Sequence, residues 1–211
     1  MSEKLEVLQL IPSIDEEASG PSYSVSKLNE NVSKIYKSKL FTISNKEEII
    51  NDNISKFKES QIFYKLSFSF KLILSISSEL KKNKDIILHN HSLWLPLNYL
   101  PFFFNKIFKC YYIISPRGTL SSWSLKNSRF KKNFFWFLIQ KRVLKNAIAF
   151  HATSDLELQE IRKLGFKQPI AVIPNGIDPH KSIKNKNKNY YSLSKEFSVI
   201  FLSRIHEKKR T

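Results

Sequence analysis

Two histidines, His89 and His91, stand at the end of a short apolar run, Asp85–His89. In an extended strand, residues i and i+2 share a face, so both imidazoles are expected to point the same way. Such a pair can hydrogen-bond a polar substrate or bind zinc, for which His151 is the only nearby third ligand. A structural role for one or both histidines is the alternative, and the residues alone leave this open.

Cations follow two other apolar runs. Arg117 stands in a tight turn after Cys110–Ser115, and Arg204 and Lys209 follow Phe197–Leu202. A guanidinium can hold a phosphate or carboxylate through two parallel hydrogen bonds. Two cations on one diphosphate would neutralise its charge as it leaves. An ordinary surface arginine and a basic tail are the plain alternatives.

The chain has only four glycines, and one of them, Gly20, precedes an apolar helical pattern that begins at Val25. The free backbone N–H groups of a helix N-terminus suit a phosphate. A plain helix start is the alternative. The sequence contains neither G-x-G-x-x-G nor a P-loop motif, which argues against a dinucleotide or P-loop nucleotide site of the usual kind.

These residues lie where strands and helices alternate. The apolar patterns predict strands at Leu5–Ile11, Leu40–Ile43, Asp85–His89, Cys110–Ser115, Ala147–Thr153, Ile170–Ile173 and Phe197–Leu202. They predict helices at 25–35, 61–82, 93–104, 129–146 and 155–164, the last opened by a Ser154/Glu157 capping box. Residues 44–60 show no regular pattern. The alternation predicts an α/β fold: a Rossmann-like, mostly parallel sheet with helices on both faces and ligands at the carboxyl ends of its strands.

Charge is distributed unevenly along the chain. The formal net charge is +17, and no Asp or Glu occurs between Asp85 and Asp155. A basic span of this length favours an anionic partner such as phosphate or an acidic membrane surface. The predicted helix at 129–146 has a broad aromatic face and basic ends, which suits an anionic interface. No zinc-finger, RNP or KH motif occurs, so a nucleic-acid partner is not expected.

Cysteine and hydropathy patterns predict a cytoplasmic protein. Cys110 is the single cysteine, which excludes an intrachain disulfide. Residues 1–6 lack an apolar signal core, and the most apolar stretch, 62–76, is interrupted by Lys65 and Lys71. We therefore expect no transmembrane helix. The basic span suggests that the protein can attach peripherally to the inner face of the membrane.

Taken together, the segments resemble the family 4 glycosyltransferases, which have the GT-B architecture. The resemblance is carried, in the family's order, by LQLIPS with SGPSYSV, LHNHSLW, SPRGTLSSWSLKNSRFKK, HATSDLELQEIRKLG, IAVIPNGID and FLSRIHEKK. It implies two facing Rossmann-like domains. Residues 1–178 would be the acceptor-binding domain, 179–196 a linker, and 197–211 the truncated start of the nucleotide-sugar-binding domain.

The resemblance also implies an activity. The enzyme would transfer a sugar from a nucleotide sugar to a glycan or lipid-linked acceptor in cell-surface polysaccharide synthesis. It would retain the anomeric configuration and need no metal or other cofactor. A basic module that binds a membrane or an anionic glycan without catalysis is the alternative function.

Individual residues match the family's motifs. Gly20 matches the loop that approaches the donor diphosphate, and His91 matches the histidine near the transferred sugar, with His89 as a competing alignment. The cations Arg204 and Lys209 match the pair that holds the diphosphate. Asn175, with Gly176, matches the turn that closes the first domain.

Three departures from the family pattern stand out. Ser19-Gly20 replaces paired glycines, and Arg210 replaces a glycine after the lysine. The family's Glu-x7-Glu motif does not occur. The 211 residues alone are therefore expected to have negligible transfer activity.

Overall fold

A computed structural model describes residues 5–15, 20–45, 47–60, 68–126 and 133–176, all within one compact unit that spans residues 1–176. Its elements in chain order are β1 (Glu6–Ile11), α1 (Gly20–Val32), β2 (Lys37–Ser44), β3 (Glu48–Asn51), β4 (Ile54–Lys58), α2 (Phe70–Lys82), β5 (Ile86–His91), α3 (Pro96–Phe108), β6 (Tyr111–Ser115), α4 (Ser122–Lys126), a π-helical segment (Trp136–Gln140), α5 (Lys141–Asn146), β7 (Ala149–Ala152), α6 (Asp155–Lys163) and β8 (Ile170–Val172).

The strands form one sheet in the order β3-β4-β2-β1-β5-β6-β7-β8. Every neighbouring pair is parallel except β3 and β4, which are antiparallel. Parallel neighbours need crossover connections, and the helices supply most of them. The predicted Rossmann-like, mostly parallel α/β fold is therefore confirmed.

Successive side chains of the central strands point to opposite faces of the sheet. Leu8 and Leu10 of β1 belong to the larger core, which also contains residues of α2, α3 and α6. Ile11 instead packs with Leu40 and with Val25 of α1 on the opposite face. The α1 side also carries the aligned pairs Gln9/His89 and His91/Ser115, because residues paired directly across parallel strands share a face.

The apolar pattern predicted no strand or helix within residues 44–60, but residues 48–58 form the β3–β4 hairpin. All four residues of β3 are exposed, and only Phe57 of β4 is buried. Edge strands need few apolar residues, so the sequence pattern there is weak. Hydrogen bonding of β4 to β2 stabilises the hairpin, and the local sequence pattern cannot show that long-range pairing.

The predicted helix at 129–146 is interrupted. Residues 133–135 are α-helical, Trp136–Gln140 form a π-helical segment, and α5 follows, while residues 127–132 lie outside the described chain. The wider turn lets Trp136 and Ile139 pack against the core that also contains Val143 and Leu144. Gln140 is buried, and neither of its amide atoms has a hydrogen-bond partner among the described residues.

Cys110 lies just before β6 and belongs to the larger core, where it is 3% exposed. Burial raises the pKa of its thiol to about 11. The thiolate, which is the reactive form, is therefore scarce at neutral pH.

Candidate functional site

Polar side chains from five strands and their following turns meet at the carboxyl end of the sheet, on the α1 side. We call these residues the sheet-end cluster: Gln9, His89, His91, Ser115, Arg117, His151 and Asn175. The ring centroid of His89 lies 4.1 Å from that of His91 and 5.5 Å from that of His151. The cluster lies where ligands of open α/β sheets bind.

The hydrogen-bond network assigns the tautomer of His91. The Gln9 amide nitrogen donates to Asn29 Oδ1 and to Ser38 Oγ, both at 3.3 Å. Its oxygen therefore faces His91 Nε2 at 3.1 Å and accepts the proton of that nitrogen. This leaves His91 Nδ1 as an acceptor, and it lies 3.4 Å from Nη2 of Arg117.

The other two histidines are also held by hydrogen bonds. His89 Nε2 lies 2.9 Å from Ser115 Oγ. His151 Nε2 donates to the carbonyl oxygen of Ile173 at 3.0 Å, because a carbonyl can only accept. In the part of the chain that the structure describes, no group of three or more His, Cys, Asp or Glu is placed to hold a metal ion.

All three histidines are neutral near pH 7. Burial, followed by electrostatic repulsion of the protonated ring by His151 and Arg117, lowers the pKa of His89 to about 3. Burial, then His89 and Arg117, holds the pKa of His91 well below its usual value. Burial also lowers the pKa of His151, although its bond to Ile173 opposes the shift. The cluster therefore offers neutral hydrogen-bonding groups around one cation.

That cation is Arg117. Nη1 donates to Ser24 Oγ of α1 and to Asn175 Oδ1, and Nη2 approaches His91. All of these partners are neutral, and Nε is buried with no hydrogen-bond partner in the part of the chain that the structure describes. Burial lowers the pKa of the guanidinium, which Glu157 partly opposes, yet an arginine stays charged at neutral pH. A half-buried cation that has no anionic hydrogen-bond partner among the described residues is suited to bind an anion.

Glu157 of α6 holds the turn that presents Arg117. Arg117 and Gly118 have φ values of 56° and 75°. Glu157 Oε1 accepts from the Gly118 N–H at 2.7 Å, and Oε2 accepts from the N–H and hydroxyl of Thr153 at 2.7 and 3.0 Å. The predicted capping box is therefore only half formed. The Ser154 side chain accepts from the Glu157 N–H, but the carboxylate turns towards Gly118 and Thr153.

The structure brings together four of the residues predicted from sequence: His89, His91, Arg117 and Asn175. Gly20 is exposed at the start of α1, one helical turn before Ser24, which contacts Arg117. Arg204 and Lys209, with the predicted strand at 197–202, lie outside the described residues.

Sequence reasoning missed Gln9, Ser24 and the hydrogen bonds of Glu157 to the turn that carries Arg117. Gln9 is an amide inside an otherwise apolar buried strand, and such a residue needs partners, so its position was informative. Ser24 carries no comparable pattern. Glu157 was recognised only as a helix-capping residue, because a local motif cannot show a contact with Gly118, 39 residues away.

Comparisons with known proteins identify the chain's relatives. A family model described as Glycosyltransferase Family 4 matches residues 45–181, which is well over half of the chain. No curated protein matches the sequence.

Two solved structures are similar in fold. A sucrose-phosphate synthase from Thermosynechococcus elongatus matches with a TM-score of 0.59 at 14% identity, over 83% of this chain and 49% of that one. A second structure of sucrose-phosphate synthase from this organism matches with a TM-score of 0.51 at 15% identity, over 82% of this chain and 90% of that one. The chain thus spans about half the length of the first of these.

Proposed function

Because the chain belongs to glycosyltransferase family 4 and has the fold of a Rossmann-like half of the GT-B architecture, we propose that it is part of an enzyme that transfers a sugar from a nucleotide sugar to a glycan or lipid-linked acceptor. The 211 residues alone have negligible transfer activity. The reaction retains the anomeric configuration and contributes to a cell-surface polysaccharide. Residues 1–178 form the acceptor-binding domain, 179–196 a linker and 197–211 the start of the donor-binding domain. The protein acts in the cytoplasm.

The position of Arg117 is the main structural support for this proposal. Its guanidinium is half-buried among neutral partners at the ligand-binding end of the sheet. Both a nucleotide-sugar donor and a lipid-phosphate acceptor bring phosphate oxygens, which a guanidinium binds through charge-assisted hydrogen bonds. We assign Arg117 to a substrate phosphate, with Asn175 and Ser24 holding the guanidinium in place.

The remaining predicted residues have distinct proposed roles. His91 supports Arg117 through Nδ1 and lies near the transferred sugar, where a neutral imidazole can hydrogen-bond a hydroxyl group. His89 is its companion on the acceptor side. The N-terminus of α1 at Gly20 offers backbone N–H groups to the donor diphosphate, and Arg204 and Lys209 bind the same diphosphate.

A chromosomal Arg117→Gln replacement in the source organism tests the proposal. We expect the surface polysaccharide to lose one glycosidic linkage, because the variant keeps a polar side chain but lacks the charge that binds phosphate. Linkage analysis of the purified polysaccharide measures the change, and quantitative immunoblotting shows that the variant is present at the normal level. Lys167→Gln removes an exposed charge elsewhere and should leave the polysaccharide intact. An unaltered linkage pattern at a normal level of Arg117→Gln would refute the assignment.

A second candidate function rests on the helical stretch 133–146. Four apolar side chains are exposed there: Phe134 (64%), Phe135 (44%), Phe137 (74%) and Leu138 (53%). Lys141, Arg142 and Lys145 follow them, and the stretch contains no acidic residue. Exposed aromatic and basic groups on one helical stretch suit an anionic membrane surface or an anionic glycan. Within the described residues, no helix is long and apolar enough to cross a bilayer.

Sedimentation with vesicles tests the second candidate. The protein should sediment with phosphatidylcholine vesicles that contain phosphatidylserine, and less so as salt rises, because screening weakens the attraction of Lys and Arg. Phe137→Ser should reduce the bound fraction several-fold. Leu74→Ser removes a similarly exposed side chain from α2 and serves as the control. Binding that ignores both phosphatidylserine and salt would eliminate this function.

A further inference from the structure

A pocket lies between the turn after β5 and the helical stretch 133–146, and it shares no residue with the sheet-end cluster. Its volume is about 340 Å³, within the range of small-molecule sites. Its lining residues are Trp94, Leu125, Asn133, Trp136, Lys141, Lys163 and Leu164. We propose that this pocket binds a sugar ring that carries a phosphate or carboxylate group.

Two tryptophans form the apolar part of the pocket. The ring centroids of Trp94 and Trp136 are 6.1 Å apart, with 33° between their planes. Trp136 also packs edge-on against Phe166, and the Trp94 indole N–H donates to Thr119 O at 3.2 Å, so neighbouring groups orient both rings. The C–H groups on one face of a sugar ring are apolar and can pack against an indole, which is a broad apolar surface.

The backbone on both sides of the pocket departs from regular geometry. Trp94 has φ 79° and Ser92 has φ 76°, a left-handed conformation that is rare for a bulky residue such as tryptophan. Trp136 begins the π-helical segment, a feature that recurs at functional sites. Such irregular backbone persists where the surrounding structure holds a side chain in a required position. Here the two irregularities position the two tryptophans.

Cations supply the polar part of the pocket. Lys141 and Lys163 come from two different helices, and neither forms an ion pair with a carboxylate in the described part of the chain. The exposed amide of Asn133 adds a group that can bond a hydroxyl. A neutral sugar would satisfy the aromatic wall but leave both ammonium groups without a counter-charge. A sugar with an anionic substituent can pack its ring against the tryptophans and pair its charge with the lysines.

The anionic sugar has two sources: a soluble sugar phosphate or uronic acid, and the headgroup of a glycosylated or inositol lipid. The test therefore uses glucose 1-phosphate and glucuronate as soluble probes, and phosphatidylcholine vesicles containing phosphatidylinositol as the lipid probe. Glucose and inorganic phosphate are the comparison ligands. The indole ¹⁵N–¹H resonances of the three tryptophans report the binding site, because Trp123 does not line the pocket.

We expect glucose 1-phosphate or glucuronate, or the phosphatidylinositol vesicles, to shift the Trp94 and Trp136 resonances and to leave Trp123 unchanged. A charged sugar probe should bind at least about 10-fold more tightly than glucose or inorganic phosphate, because it alone can contact both the tryptophans and the lysines. Trp136→Leu should abolish this binding. Lys141→Gln and Lys163→Gln should remove the preference for the charged sugar, whereas Lys167→Gln, also exposed, should preserve it.

A response to the soluble probes would support the site and identify a soluble ligand. A larger response to phosphatidylinositol vesicles than to phosphatidylserine vesicles of the same charge would support the site and identify a lipid headgroup, whereas equal responses would assign the vesicle binding to the surface of the stretch 133–146. Equal binding of glucose and glucose 1-phosphate, equal binding of inorganic phosphate, a shift confined to Trp123, or no shift with any probe would overturn it. The exposed lysine variants keep the test informative even if Trp136→Leu is unstable. The outcome is independent of the transferase proposal, because Arg117 does not line this pocket.

Discussion

Replacing Glu157 with glutamine is expected to lower the free energy of unfolding by about 2 to 3 kcal/mol, which is the scale of a buried hydrogen-bonded carboxylate that loses its partners. The carboxylate accepts from Gly118 and from both donors of Thr153, while its side chain is 3% exposed. Glutamine must present its NH₂ group to one of these N–H groups. One of these half-buried N–H donors is then left without an acceptor, and the turn that carries Arg117 is released. Urea unfolding followed by circular dichroism measures the change.

Asp155→Asn is the matched control, because it removes the same charge from the same helical turn. Asp155 is exposed and interacts mainly with the helix dipole, so its loss should cost at most about 1 kcal/mol. If Glu157→Gln unfolds at the same urea concentration as Asp155→Asn, the clamp between Glu157 and the Arg117 turn does not stabilise the fold.

Acidification from about pH 7 to pH 4.5 is expected to reduce the free energy of unfolding by roughly 2 kcal/mol through His89 alone. The folded-state pKa of His89 is about 3, below its value of about 6.5 in an unfolded chain. The unfolded state therefore binds more protons across this window, so stability falls as the pH falls. His89 is partly exposed, and solvent weakens the effect of burial on its charged form. We therefore take a loss of free energy smaller than the full pKa shift would give. His91 and His151 act in the same direction.

Asp15 and Glu79 contribute little to this effect between pH 7 and pH 4.5. Their pKa values are lowered in the fold from 3.8 and 4.5, so the stability they provide is lost mainly as the pH falls from those unfolded values towards the lowered ones. His89→Gln is the test variant, since it keeps hydrogen-bonding capacity but cannot titrate. Urea unfolding at the two pH values should show a smaller loss for His89→Gln than for the wild type. Equal losses would show that His89 does not cause the acid sensitivity.

The sequence predicted the fold well where a strand or helix is long and buried on one side. The strands at β1, β5 and β6 and the helix α6 have strong apolar periodicity, and each was placed to within a few residues. The β3–β4 hairpin was missed because β3 is exposed and β4 has a single buried residue, Phe57, so neither strand shows a clear apolar alternation. The π-helical segment was missed because periodicity assumes a constant number of residues per turn. Both depend on packing with distant parts of the chain.

The candidate site was predicted in part. Histidines two residues apart and an arginine in a turn after a strand were informative because strand ends converge in a parallel sheet. The sequence could not show that Arg117 lies against His91, or that Gln9 fixes the orientation of the imidazole. Those contacts link residues 26 and 82 positions apart. Only the sheet order brings them together.

The buried thiol of Cys110 offers a built-in reporter of transient opening. With its pKa near 11, a thiol-reactive reagent should modify the native protein mainly through molecules in which this part of the core has opened. Because Cys110 is the single cysteine, the labelling rate at each reagent concentration reads one opening equilibrium without competing sites. A substrate that binds the closed state would slow that rate in proportion to its occupancy, so affinity could be measured without a catalytic assay.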